Sequence, residues 1–272
     1  MAEPIPQKIR WSGHSDVGRF RKNNEDTFLG LLFNGQDIQY LGKSGVGSLD
    51  DMDFVFAVSD GMGGKAAGEF ASKITIEQTA KLLPRSFRHS ARGMVTGFND
   101  ILEELFDKIH HAITYLGNSY EECSGMGATL SLAWLTPGWL YFGHVGDSRI
   151  YYFPTAGGMK QITNDHTRPG WLRRKGEINE REARSHPAKH GLQQGLGSSF
   201  QFLEPQIGAV ACEPGDKFLI CSDGLIDGLW DHRIADILQE KYDPEIAQLL
   251  VDEAVAASGR DNTTALVVEV TA

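Results

Sequence analysis

The sequence predicts an α+β fold in which helices pack over a pair of sheets. Three observations carry this expectation. Apolar runs of strand length follow one another through short turns: Ala128 to Leu135, Trp139 to Val145 and Arg149 to Phe153, joined at Pro137-Gly138 and Gly146-Asp147. The helical segments are grouped, at 66–83 and 98–116, instead of alternating singly with strands. No internal repeat, low-complexity tract or linker divides the 272 residues, so one domain over 1–272 is expected.

Residues 12–18 (Ser-Gly-His-Ser-Asp-Val-Gly) read as a turn-rich opening. A loop packed with Arg19, Arg21, Lys22, Asn23, Asn24, Glu25 and Asp26 precedes a strand from Thr27 to Phe33. Residues 34–52, glycine-bearing and polar, read as a hairpin excursion. Phe54-Val-Phe-Ala-Val58 is then a buried strand that ends in Ser59-Asp-Gly-Met-Gly-Gly64. In the helix over 66–83, Phe70, Ala71 and Ile74 share a face, and Pro84 is expected to stop it. The helix over 98–116 has the plainest periodicity, with Phe98, Ile101, Leu102, Leu105, Phe106, Ile109 and Ile113 at i, i+3, i+4, i+7 spacing.

Asp147, in the turn between two apolar runs, is expected at a hairpin tip. Residues 164–197 are irregular, except for a short helix opening at Asn179, where Glu182 completes a capping box. A second buried strand, Phe218 to Ser222, ends in Asp223-Gly224 and echoes the first. Helices follow around 232–240 and from Asp243-Pro244 to Ser258, before a closing strand from Ala265 to Val270.

Hydrophobic residues make up 41% of the chain, enough for a sizeable core. The net charge of −10 excludes a globally basic surface, so neither nucleic acid nor an anionic membrane is an expected partner. Three cysteines without metal-ligand spacing fit a reduced, intracellular chain. The first residues lack an apolar signal-like core and no apolar run is long enough to span a bilayer. A cytoplasmic location is the expectation.

A carboxylate at the end of a buried strand is costly unless something pairs with it or binds it. Glu25, Asp26, Asp60, Asp147, Asp223, Asp227 and Asp261 all fall at strand ends or tight turns. Taken singly, an Asp-Gly is usually a turn and Arg21 an ordinary solvated arginine. Taken together, hard oxygen donors without histidine or cysteine suit Mg²⁺ or Mn²⁺, and paired divalent ions are a usual device for phosphoryl hydrolysis. Arg21, just before the acidic pair, has the fork geometry to clamp phosphoryl oxygens.

The conjunction resembles the metal-dependent, type 2C (PPM) protein serine/threonine phosphatases in their bacterial form. The matching segments are Ser15-Asp-Val-Gly-Arg19 with Arg21 to Asp26, Ser59 to Gly64, Gly125-Met-Gly-Ala-Thr129, Gly146-Asp-Ser-Arg149, Ser222-Asp-Gly-Leu-Ile-Asp227 and Gly259-Arg-Asp-Asn262. They come in the family's order and cover nearly the whole chain. The resemblance implies a four-layer α-β-β-α sandwich with two Mn²⁺ or Mg²⁺ ions between two antiparallel sheets. It implies hydrolysis of phosphoserine and phosphothreonine by a water that bridges the metals.

Carried over by position, Asp60 would bridge the ions, the Gly61 carbonyl would help to hold one, and Asp223 and Asp261 would bind the other. Glu25 and Asp26 would act through metal-bound waters. Asp147, Asp223 and Asp227 match a weaker third-metal site. Arg21 matches the phosphate-binding arginine. The stretch 164–190 matches a mobile flap whose basic residues would read the substrate. The implied partners are phosphorylated proteins, including a Ser/Thr kinase or its targets, and hence a signalling role.

The chain departs from the pattern at Met62 and Lys65, where some members carry a histidine. The leaving group is therefore protonated either by a metal-bound water or by Lys65. Two rival classes are weaker. An aspartyl-phosphate phosphotransferase needs a second carboxylate two residues after the nucleophile, where Met62 and Leu225 stand. A non-catalytic phosphoprotein-binding module would have lost ligands, yet every expected carboxylate is present.

Overall fold

The apolar runs at 54–58 and 218–221 lack the alternation of a half-exposed strand because both faces of each are buried. Phe54, Phe56 and Val58 point into one hydrophobic core and Val55 and Ala57 into another. Phe218 and Ile220 share that first core, while Leu219 and Cys221 enter a third. Three cores in series require four layers.

In this computed structural model, residues 7–34, 37–50, 52–63, 67–91, 97–197, 200 and 202–272 are described. The first strands are β1 (Lys8–Asp16), β2 (Asp26–Phe33), β3 (Ile38–Tyr40), β4 (Ser44–Ser48) and β5 (Asp53–Met62). Two long helices follow, α1 (Ala67–Ala91) and α2 (Phe98–Ser119). Then come β6 (Gly127–Ala128), β7 (Leu130–Thr136), β8 (Trp139–Val145), β9 (Arg149–Phe153) and β10 (Lys160–Gln161). The short helices α3 (Arg168–Arg174) and α4 (Glu180–Arg184) precede β11 (Leu196–Gly197), β12 (Gln206–Ala211) and β13 (Lys217–Cys221). The chain closes with α5 (Asp223–Gly228), α6 (Asp231–Gln239), α7 (Ile246–Ala257) and β14 (Thr263–Thr271).

One sheet runs β10-β9-β13-β14-β1-β4. The other runs β11-β6-β5-β7-β8-β12, with β2 paired to β5 and β3 to β2. The pairings are antiparallel. Helices α1 and α2 cover the outer face of the second sheet, and α5 and α7 that of the first. The two sheets face each other across the core of Trp11, Phe54, Phe56, Phe218 and Val268. The expected α-β-β-α sandwich is therefore observed.

Several local expectations are corrected. Residues 12–16 are not a turn but the second half of β1, laddered along β14 through Asp16 and against β4 only as far as Ser12. Pro84 does not stop α1, which continues to Ala91. Ala80 and Leu83 are buried beneath the sheet, and tertiary packing of that face outweighs the proline's local cost. The stretch 34–52 is a hairpin only in its first part: β3 folds back on β2, whereas β4 crosses to β1.

Nor are β8 and β9 a hairpin. β8 lies between β7 and β12 in one sheet and β9 between β13 and β10 in the other. Gly146-Asp147-Ser148 is thus a crossover between sheets, and Asp147 sits where the sandwich edge opens. Turn chemistry alone does not say which strand a chain pairs with next. The helix assigned from Asp243 starts at Ile246, because the Asp243 carboxylate accepts a hydrogen bond from the Glu245 N–H at 2.7 Å in a preceding turn.

Candidate metal centre

The expected acidic residues collect at one edge of the sandwich, where strands of both sheets end. Asp26 opens β2 directly opposite Asp60 near the end of β5. Asp223 starts α5 straight after β13, Asp261 precedes β14, and Asp147 occupies the crossover from β8 to β9. Each of these carboxylates lies at or within two residues of a strand end anchored by buried apolar residues, which gives rigid placement to otherwise costly groups.

The two Asp-Gly pairs owe their glycine to close backbone approach rather than to turn formation. A Cβ on Gly61 would lie 1.9 Å from the Gly68 carbonyl oxygen, and one on Gly224 would lie 2.0 Å from that of Asn262. Both contacts are with backbone and cannot be relieved by a rotamer change. The first packs the start of α1 against the end of β5, and the second packs α5 against the loop that carries Asp261.

Hydrogen bonds fix the frame. The Asp60 N–H donates to Thr129 Oγ1 at 3.0 Å, and the Ser59 hydroxyl donates to the Thr129 carbonyl at 2.7 Å. Thr129 Oγ1 lies 2.6 Å from Ser148 Oγ, joining Asp60 to the Asp147 crossover. Asp26 Oδ2 accepts from Ser222 and Thr264, each at 2.7 Å, tying β2 across the sandwich to β13 and β14. Asn262 accepts from the Glu25 N–H at 2.8 Å and donates to the carbonyls of Val17 at 2.9 Å and Asn23 at 3.0 Å. No role for Asn262, Ser222 or Thr129 followed from the sequence beyond their place in the quoted segments, and Thr264 lies outside them. The available signal was polar residues flanking acidic ones at strand ends.

The electrostatics mark the cluster as strained by its own charge. Asp60 is raised well above the usual carboxylate range by burial, then by Asp26, Asp223, Asp147 and Asp261. Asp223 is likewise raised well above it by burial and by Asp147, Asp261, Asp227 and Asp26. Burial pushes Asp147 up to about 7, with Asp165 adding to the shift and Arg149 opposing it. Asp26 reaches about 6 through burial, despite its two hydroxyl donors. Glu25 is raised by burial and partly relieved by Arg21. Like charges that mutually suppress ionisation are what a divalent cation would relieve.

Among the described residues, no three His, Cys, Asp or Glu side chains already form a set that would hold an ion by themselves. The donor chemistry nonetheless fits a hard cation. Within the cluster Asp26 Oδ1 and Asp223 Oδ1 are buried with no hydrogen-bond partner, as is Glu269 Oε2 outside it. Orphaned anionic oxygens at the heart of an acidic cluster call for a positive ligand. Asp223 and Asp261 both act on the ionisation of Asp60, and Asp261 on that of Asp223, so the three belong to the same cluster.

Arg21 is held in the site by Asp261 Oδ2 at 2.7 Å and lies 3.9 Å from Glu25 Oε2, half exposed toward solvent. Lys65 lies outside the described residues; Met62 is described and ends β5. The 164–190 stretch is more ordered than its sequence suggests. Thr167 caps α3 by accepting from the Gly170 N–H at 3.1 Å, and Asn179 and Glu182 form the expected capping box on α4. Three basic residues of this stretch are committed to the protein itself. Arg173 donates to Asp231 at 2.6 Å, Arg174 to the Asp165 carbonyl at 3.0 Å, and Lys175 lies 4.1 Å over the Trp171 ring.

The architecture and the acidic edge together define a class of protein: an α-β-β-α sandwich with a carboxylate-lined cleft between its sheets. Comparison with known proteins narrows it. The sequence profile described as Protein phosphatase 2C matches residues 43–252. The serine/threonine phosphatase stp of Listeria innocua is 30% identical over 257 residues, covering 94% of this chain and 93% of that protein. The crystal structure of the Mycobacterium tuberculosis serine/threonine phosphatase PstP/Ppp superposes with a TM-score of 0.78 at 30% identity, over 97% of this chain and 100% of the other. A structure of the catalytic domain of PstP in complex with two manganese ions has a TM-score of 0.73 at 30% identity, covering 98% and 100%. The chain belongs to the protein phosphatase 2C family.

Proposed function

We propose that this chain is a metal-dependent protein phosphatase that hydrolyses phosphoserine and phosphothreonine, with one catalytic unit over 1–272. The observation that carries this reading is the pair of buried, unpartnered carboxylate oxygens on Asp26 and Asp223, delivered to one cleft by different sheets. The naming of its relatives as serine/threonine phosphatases, and the two manganese ions of PstP, point the same way.

In this reading Asp60, the Gly61 carbonyl, Asp223 and Asp261 hold two Mn²⁺ or Mg²⁺ ions, and Glu25 and Asp26 orient waters around them. Asp147, Asp223 and Asp227 form a further, weaker cation site. The ions, when bound, supply Lewis acidity and lower the pKa of a water for in-line attack at phosphorus. Arg21, anchored by Asp261 and open to solvent on its other side, binds the phosphoryl oxygens and aligns the ester. Ser222 and Thr264 keep Asp26 oriented toward the cleft. Lys65 or water protonates the leaving serine or threonine oxygen. The substrates are phosphoproteins in the cytoplasm, including a Ser/Thr kinase or its targets, which gives the chain a signalling role.

The test is phosphate release from p-nitrophenyl phosphate and from a phosphothreonine peptide, with and without Mn²⁺. Release is expected with the metal and lost on adding EDTA. Asp223→Asn should reduce kcat by at least about a hundredfold, since it removes charge from a shared ligand. Metal-independent turnover, or a near-wild-type Asp223→Asn, would overturn the assignment.

A further inference from the structure

The acidic edge contains one contact that the two-ion reading does not use. Lys189, in the segment that follows α4, places its Nζ 3.0 Å from both Oδ1 and Oδ2 of Asp227. Asp227 belongs to α5, one helical turn beyond Asp223, and so it borders the part of the cluster assigned to the weaker cation site. The ammonium supplies this carboxylate with the positive charge that a metal would otherwise bring. Both partners are mostly shielded, with 30% of the Lys189 and 21% of the Asp227 side chain exposed. The pair is therefore less screened than an ordinary surface bridge.

The rest of the segment lies against the same wall. Arg184 donates to the Leu229 carbonyl and stacks 4.2 Å over the Trp230 ring. Glu180 accepts from the Asp231 N–H at 3.1 Å, and Arg173 reaches Asp231 from α3. Beneath these contacts remains a cavity of about 60 Å³, bordered by Asp147, Asp223, Asp227, Arg184, Lys189 and His190. That is room for about four waters.

We infer that Lys189 is a built-in competitor for the third cation: its ammonium latches the 164–190 flap onto Asp227, and a divalent ion on Asp227 and the closed flap exclude each other. The inference rests on the binuclear reading above. Both oxygens of Asp227 face the ammonium, so an ion that takes the same lone pairs displaces Lys189, and one that takes the others meets its positive charge. The displaced segment then loses its ion pair to α5 and keeps the contacts that Arg184 makes with Leu229 and Trp230. Occupancy of the weaker site would thus be read out as release of the flap, and Lys189 would set the Mn²⁺ concentration at which this occurs. Asp223, which the two-ion reading already uses, borders the same cavity.

The test titrates Mn²⁺ calorimetrically into metal-stripped wild type and Lys189→Met, which keeps most of the side-chain volume without its charge. Two tight ions are expected in both proteins. A further ion should bind Lys189→Met at least about tenfold more tightly than wild type, the scale on which a neighbouring charge shifts an ionic equilibrium. Hydrogen exchange gives an independent readout: amides at 185–191 should exchange several-fold faster in Lys189→Met, and in wild type only when Mn²⁺ exceeds the amount needed for the two tight sites. Two tight ions with unchanged weak-site affinity and unchanged exchange would overturn the latch and leave the binuclear centre standing. Absence of tight ions from both proteins would overturn the binuclear reading, and the latch with it.

Discussion

Asn262 offers the sharpest test of how the acidic edge is held together. Its side chain is 3% exposed and makes three hydrogen bonds, one accepted from Glu25 and two donated to Val17 and Asn23. Asn262→Ala deletes all three and strands one N–H and two carbonyls. At about 1 kcal/mol net per bond the loss sums to roughly 3 kcal/mol, and more if water cannot reach the stranded groups. For a chain of this size, a loss of about 3 kcal/mol corresponds to a Tm drop of roughly 6–12 °C. The assay is urea unfolding followed by tryptophan fluorescence in EDTA, so that no ion contributes. The midpoint should fall with an unchanged slope. Asn262→Asp, which keeps the acceptor but loses both donors and adds a negative charge, should be worse without metal and partly rescued by Mn²⁺. A loss below about 1 kcal/mol in Asn262→Ala would show that the loops carrying Glu25 and Asp261 are not tied through this amide.

Two further outcomes follow from the same frame. Arg149 is buried and held bidentately by Asp165 at 2.9 and 2.7 Å, with Tyr151 at 2.7 Å. Asp165→Ala should therefore cost about 3–5 kcal/mol in urea unfolding by leaving a buried guanidinium unpaired, whereas Arg149→Met with Asp165→Leu should recover much of it; equal losses in the single and double variants would contradict this. Without metal, stability should fall as pH rises from about 6.5 through about 7. Asp147, raised to about 7, retains there a proton that the unfolded chain has already released, and Asp60 and Asp223, raised well above the usual carboxylate range, act in the same direction. The buried His144 and His166, held down to about 3 and about 4, oppose this trend only below their ordinary 6.5, so they do not mask it. Mn²⁺ should abolish the slope and stabilise more at the higher pH, because it replaces those protons; a pH-independent effect of Mn²⁺ on Tm would count against a carboxylate site.

Much of this site was legible in the chain. Apolar runs that end in Ser-Asp-Gly located Asp60 and Asp223, since a strand buried on both faces has a continuous signature and its terminal carboxylate stands out. The capping box at Asn179 was readable because its two partners are three residues apart. What failed was anything that needed a partner in space. Pro84 was judged by its local cost while Leu83 and Ala80 were being buried by a sheet formed elsewhere. β8 and β9 have the sequence of a hairpin, yet they belong to different sheets. Nor does the chain show locally that two basic residues of the 164–190 stretch, Arg173 and Arg174, donate to the Asp231 carboxylate and the Asp165 carbonyl.

The sequence alone therefore determined which residues carry charge to the ends of buried strands, the α+β composition, and the family those segments resemble, because each depends on neighbours within a few positions. Only the tertiary structure decided that Asp26 faces Asp60, that Ser222 and Thr264 reach across the sandwich to hold it, and that Lys189 rests on Asp227, some 38 residues away. Strand pairing and ion pairing are chosen by the competition of all segments for burial, and that competition is not written in any one of them.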